Sequence, residues 1–158
     1  RLLEKRIAEM VRRGWTVGAL KHDAHRFEID HEGKDSWRLA KAGAAVTAIS
    51  SPGKSAVIRR HELEPPLDAL LQEFVGVDIV LTEGFKRSRL PKIELHRASL
   101  GAPLLCRGEF NDPTLVAVAS DVLLDIDVPC FDLEKVSLVA DFLERNLLGL
   151  KEFAGRSA

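Results

Sequence analysis

The chain has 158 residues, enough for one sizeable core, and its 46% hydrophobic content excludes a disordered or fibrous polymer. A net charge of −1 gives no global field to draw nucleic acid, so any polyanion must be gripped locally. No apolar run reaches the ~18 residues of a membrane span, and Cys106 and Cys130 read as separate reduced thiols of a cytoplasmic protein.

The chain opens in helical register. Leu3, Ile7, Met10 and Val11 fall at i, i+4, i+7 and i+8, which predicts a helix over 2–13 with those four on its inner face. Gly14 is its stop. The first residue is Arg1 and no N-capping residue precedes the helix, so the expectation is that the natural beginning lies ahead of it. A strand is expected over 15–20. It empties into a loop crowded with Lys21, His22, Asp23, His25, Asp30, Glu32, Lys34 and Asp35, and a helix over 36–42 follows, closed by Gly43.

Strands over 46–49 and 55–59 flank the turn Ser51-Pro52-Gly53-Lys54 and form a hairpin. Pro65-Pro66 opens a short helix through Leu67, Leu70, Leu71 and Phe74. Residues 77–82 are apolar except for Asp78, as suits a strand covered on both faces. Residues 92–96 alternate like an edge strand, 115–119 read as a buried strand ending at Ser120-Asp121, and 127–131 as a short one. Cys130, after Val128-Pro129, is expected to be a small core residue. A last helix over 133–148 has Val136, Val139, Ala140, Leu143 and Leu147 as its inner stripe. The alternation predicts an α/β fold: a mostly parallel sheet with helices on both faces and a hairpin and edge-strand extension. One domain over 1–150 and a polar tail over 151–158 are expected.

In open α/β sheets ligands sit beyond the carboxyl ends of the strands. The runs 15–20 and 77–82 both release charge at their ends, and a nucleotide with its metal is the natural candidate ligand. Asp30-His31-Glu32-Gly33 matches D-x-x-G, in which the Asp holds Mg²⁺, directly or through water, and the Gly N–H meets the terminal phosphate. The other reading is a polar turn. Glu83 closes a strand where P-loop proteins hold a metal or its water; Gly84 lets backbone approach, and Lys86 offers a point charge to phosphate. Its other reading is a solvated loop acid.

Lys21-His22-x-x-His25 leaves three readings open: part of a zinc site, a phosphate contact by Lys21 and a histidine, or His22 satisfying loop carbonyls. His61 and His96 read as surface residues. Gly53-Lys54-Ser55 and Gly33-Lys34-Asp35 both fail the pattern G-x-x-x-x-G-K-[ST], so these 158 residues contain no P-loop.

Six blocks now act together: KHDAH at 21–25, DHEGKDS at 30–36, AGA at 42–44, TEGFK at 82–86, PKIELHR at 91–97 and VASD at 118–121. In order and spacing they resemble the molybdopterin-guanine dinucleotide biosynthesis protein B family, MobB, over residues 2–148. The resemblance implies a GTP-binding, P-loop NTPase-like α/β protein with weak Mg²⁺-dependent hydrolysis. It also implies a homodimer that assists the molybdopterin guanylyltransferase as it attaches GMP to molybdopterin, with contact to molybdopterin itself possible in principle. No nucleic-acid or membrane partner is expected.

By the same resemblance the phosphate loop should lie immediately before Leu2. Asp30 and Gly33 look like the D-x-x-G element, Glu83 like the acid closing the metal-binding strand, and Lys21 and His22 like the loop lining the cleft. Asp121 sits where a carboxylate would accept both the N1–H and the exocyclic N2–H of guanine, a pairing adenine cannot match. Two other functions compete: a P-loop small-molecule kinase or ligase, and a nucleotide-free dimeric scaffold for the guanylyltransferase or the pterin phosphate.

Overall fold

A computed structural model describes residues 2–23 and 27–149. In chain order the elements are α1 (Leu2–Arg12), β1 (Val17–Lys21), α2 (Asp35–Lys41), β2 (Val46–Ser51), β3 (Lys54–Arg59), α3 (Leu67–Leu71), β4 (Ile79–Glu83), β5 (Lys92–His96), β6 (Leu115–Ser120), β7 (Cys130–Asp132) and α4 (Val136–Leu143). A 3₁₀ turn occupies Ala98–Leu100, and a π turn, Glu144–Leu148, extends α4. The chain divides into two compact units, one of residues up to 20 and from 76, the other of residues 21–75.

The first unit is built on β5-β6-β7, with both neighbours of β6 parallel to it. In β6, Leu115, Ala117, Val118, Ala119 and Ser120 are buried, the pattern of a central strand covered on both faces. The edge position expected for 92–96 holds, since β5 pairs only with β6 in this sheet. Strands β1 and β4 are hydrogen-bonded neighbours. They start together: Thr16 O accepts the Asp78 N–H at 2.8 Å, and Asp78 Oδ2 accepts the Thr16 N–H at 2.9 Å. Asp78, the polar interruption of its apolar run, therefore helps to fix this strand pair.

Met10, Ala119, Leu133, Val139, Ala140 and Leu143 form the buried cluster, with Trp15, Val17, Ile79, Leu81 and Phe131 among the side chains packed against it. Arg13 ties α1 to α4. Its Nε donates to Glu9 at 2.8 Å, and its Nη1 donates to Asp141 at 2.7 Å and Glu144 at 2.6 Å. Burial opposes the Arg13 charge, but the three carboxylates outweigh it and raise its pKa. Trp15 Nε1 donates to Glu144 at 2.7 Å and completes the brace.

The expected inner face of the first helix needs correction. Val11 is 55% exposed, whereas Arg6 is buried at 6%. Arg6 Nη1 donates to Leu2 O at 3.0 Å, but Nε and Nη2 are buried with no partner. Desolvation lowers the Arg6 pKa, with Glu134 working the other way. Three further boundaries move. The last helix starts at Val136, so the buried Leu133 reaches the core from the turn after β7. Leu147 is 43% exposed because the π turn breaks the 3.6-residue repeat before the stripe reaches it. Cys130 is half-buried, with its thiol near Val122 O, and is not a core residue.

The second unit holds α2, α3 and the hairpin expected from the turn at Pro52-Gly53. The hairpin pairs Val46 with Arg59 through to Ser51 with Lys54, and Ser51 Oγ donates to Lys54 O at 3.0 Å. Helix α2 packs on β2. Thr47 is the one buried side chain among the described residues of this unit, while Leu39, Ile49 and Val57 stay exposed.

Candidate functional site

Glu83 is the last residue of β4 and is exposed. The run expected to end before it in fact includes it. The chain then turns sharply: Gly84 has φ 92° and Phe85 has φ 48°. Phe85 is the one described non-glycine residue at positive φ, a conformation with a steric cost for any side chain bearing a Cβ. Ser88 N–H donates to Phe85 O at 2.9 Å and closes the turn, leaving Lys86 exposed within it.

That turn is anchored from β5. The Lys92 ammonium, largely buried, donates to Ser88 O and to Thr114 Oγ1 at 2.6 Å, and lies 3.1 Å from Asp112 Oδ2. Asp112 also accepts the Thr114 hydroxyl at 2.7 Å and the Thr114 N–H at 2.9 Å. These Thr114 bonds, helped by Lys92, hold the Asp112 carboxyl down at about 2. Sequence reading missed Lys92 because its partners are distant in the chain and match no motif.

Asp121 follows β6. Its Oδ1 accepts the Ala98 N–H at 2.8 Å at the start of the 3₁₀ turn. One carboxylate oxygen thus has a structural duty beside the base-reading role expected of it, which leaves Oδ2 and one lone pair of Oδ1 to offer a ligand. An open depression of about 220 Å³ lies here, lined by Ser120, Asp121, Val122, Leu123, Cys130, Phe131 and Asp132. Its floor is ordered: buried Ser120 Oγ accepts the Val122 N–H at 3.2 Å, and Asp132 Oδ1 accepts the Glu134 N–H at 2.9 Å.

The remaining candidates belong to the second unit. Asp30 Oδ1 accepts the Ser36 hydroxyl at 2.9 Å and the His31 N–H at 3.0 Å, while Oδ2 is buried with no partner. Gly33 has φ 85°, and Lys34 N–H donates back to His31 O at 3.2 Å. The glycine of D-x-x-G therefore has a local reason to be glycine, because its turn needs the left-handed region. Lys21 is exposed and closes β1 instead of opening the loop. His22 Nε2 pairs with Glu64 Oε1 at 2.8 Å, a carboxylate partner from the same unit. His25 lies outside the described residues. His61 is exposed, whereas His96 ends β5 half-buried, which corrects its reading as a surface residue.

The site residues thus divide between the units: Glu83, Lys86 and Asp121 in the first, and Lys21, His22, Asp30 and Gly33 in the second. The donor chemistry fits the expected ligands. Glu83 and the orphaned Oδ2 of Asp30 are hard oxygen donors of the kind Mg²⁺ takes, one or two at a time beside phosphate oxygens.

The family model described as molybdopterin guanine dinucleotide synthesis protein B, MobB, matches residues 1–121. The chain is 37% identical over 145 residues to the molybdopterin-guanine dinucleotide biosynthesis adapter protein of Haemophilus influenzae, covering 90% of this chain and 79% of that one. It is 38% identical over 148 residues to the Escherichia coli protein of the same description, covering 90% and 82%. Among solved structures, a crystal structure of molybdopterin-guanine biosynthesis protein B aligns with TM-score 0.69 at 26% identity over 90% of this chain and 88% of that one. The MobB homologue of Bacillus stearothermophilus aligns with TM-score 0.62 at 28% identity, over 90% and 87%. These likenesses agree with a P-loop NTPase-like α/β fold, and with the six sequence blocks they establish that the chain belongs to the molybdopterin guanine dinucleotide synthesis protein B family.

Proposed function

We propose that this chain is an adapter in molybdenum cofactor biosynthesis, which binds GTP with Mg²⁺ and supports the guanylyltransferase that joins GMP to molybdopterin. The observation that carries this reading is the match of nine-tenths of the chain to relatives described as adapters of molybdopterin-guanine dinucleotide biosynthesis.

Each candidate residue has a role in this reading. Glu83 on the first unit is a carboxylate ligand for a metal, and Asp30 on the second unit, taken by itself, is another; a bound metal would offset phosphate charge. On the first unit Lys86 offers a point charge to phosphate; on the second, Lys21 offers another and the Gly33 N–H a donor. His22, paired with Glu64, stands beside Lys21 in the second unit. Asp121 reads guanine, Oδ2 and the remaining lone pair of Oδ1 accepting its N1–H and N2–H, in the depression beyond β6 and β7. In this reading hydrolysis is weak, as the family resemblance implies. The protein works in the cytoplasm as a homodimer, with the guanylyltransferase as its macromolecular partner.

The test is reconstitution. Purified guanylyltransferase, molybdopterin and Mg–GTP are combined with and without the full-length protein, and the guanine dinucleotide form is quantified. The reading predicts a faster or larger yield with the protein present, and a loss of that gain in Glu83→Gln. An unchanged yield across a range of protein concentrations would remove the adapter role.

A further inference from the structure

The loop after Glu83 has a backbone that its sequence does not favour. A glycine at Gly84 adopts φ 92° at no steric cost, but Phe85 at φ 48° carries a Cβ into the left-handed region. Such outliers persist only where the surroundings over-determine them, and they concentrate where geometry serves a ligand. Here the surroundings are visible. Phe85 O accepts the Ser88 N–H, and Ser88 O accepts a proton from the Lys92 ammonium. Lys92 is fixed in turn by Thr114 and Asp112. A chain of bonds thus runs from β5 and the start of β6 to the one left-handed phenylalanine, which stands between Glu83 and Lys86.

We infer that Phe85 is a positioning residue: its left-handed backbone, clamped through Ser88 by Lys92, sets where Glu83 and Lys86 stand toward a metal–phosphate ligand. This rests on the proposed binding of Mg–GTP and adds to it a residue that touches neither metal nor phosphate. If the chain crossed from Glu83 to Lys86 with ordinary negative φ at residue 85, the Lys86 side chain would leave on a different bearing. The Ser88 bond would open as well. The Phe85 ring offers the rival explanation, that the residue is retained for packing alone.

Two substitutions separate these explanations. Asn tolerates the left-handed region but has no ring, so Phe85→Asn keeps the backbone and removes the packing. Val is apolar but strongly disfavoured at positive φ, so Phe85→Val keeps apolar bulk and opposes the backbone. Lys92→Met removes the clamp. Two readouts are taken on full-length protein: amide hydrogen exchange at Ser88 without ligand, and the Mg²⁺ concentration needed for half-maximal GTP binding.

The inference predicts that Phe85→Val and Lys92→Met each speed Ser88 exchange and raise the Mg²⁺ requirement by about tenfold, the scale of a left-handed penalty. Phe85→Asn should stay within about twofold of the parent on both, the small shift expected when the backbone is kept. A Phe85→Asn variant as impaired as Phe85→Val would overturn the inference in favour of ring packing. So would a Phe85→Val variant with parent-like exchange. If Phe85→Val does not fold, Phe85→Asn and Lys92→Met still decide. If the parent binds no Mg–GTP, the functional reading falls, and Ser88 exchange alone still shows whether residue 85 sets this turn.

Discussion

The two units hold together in different ways. All nine buried apolar side chains among the described residues, Met10 through Leu143, belong to the unit built on β5-β6-β7. That unit is also cross-braced by Arg13 and by the Lys92–Asp112–Thr114 network. Among its described residues the unit of residues 21–75 buries only Thr47, and its hairpin leaves Ile49 and Val57 largely exposed. A two-stranded hairpin on its own is marginal in water, and even with α2 on β2 Thr47 alone of its described side chains is buried. Burial, more than hydrogen-bond count, therefore separates a frame from a segment of low local stability. The acid at the end of β4 stands on the frame, and Asp30 stands on the softer unit.

The largest expected effect tests this contrast directly. Met10 is fully buried, so Met10→Ala should cost about 3 kcal/mol of unfolding free energy by transfer and cavity terms. Val57→Ala on the exposed hairpin should cost less than about 0.5 kcal/mol. Urea unfolding of the two variants measures both, and equal losses would erase the distinction between the units.

Arg6 should give a smaller change of opposite sign. It places two orphaned guanidinium nitrogens in the frame, so Arg6→Leu should stabilise by about 1 kcal/mol, since an apolar isostere spares the desolvation. A clear fall in melting temperature would show that the guanidinium has a stabilising partner after all.

The smallest effect is in pH. The folded-state carboxyl of Asp112 is depressed to about 2 from its ordinary 3.8. A depressed acid contributes stability that is present above its unfolded pKa and lost as pH falls through the folded one. Stability should therefore drop between about pH 4 and pH 2, and Asp112→Asn should flatten that part of the profile. A parallel profile for the variant would take Asp112 out of the acid transition.

Much of this was legible in the sequence because it is local. The hairpin was announced by Pro52-Gly53 between apolar runs, and the central strand by Leu115 to Ala119. The D-x-x-G and TEGFK segments could be found because motifs occupy consecutive residues. What was missed is long-range or depends on where a side chain bends. The periodic apolar set of the first helix left Arg6 out and took Val11 in, yet Arg6 is buried, guanidinium nitrogens included, and Val11 faces water. Lys92 looked like one residue of an edge strand, and only the fold brings Thr114, 22 residues away, to its ammonium. Asp121 looked free to read a base until the fold gave one of its oxygens to Ala98. The family resemblance rested on blocks and not on contacts, which is why it survived these corrections.

The most direct test of the account is calorimetric titration of the full-length protein with GTP and with ATP, each with and without Mg²⁺, repeated on Glu83→Gln and Asp121→Ala. The account predicts that the parent prefers GTP and binds it more tightly with Mg²⁺. Glu83→Gln should lose the Mg²⁺ effect with little change in melting temperature, and Asp121→Ala should lose the preference over ATP. Binding that ignores Mg²⁺, the base and both substitutions would contradict it.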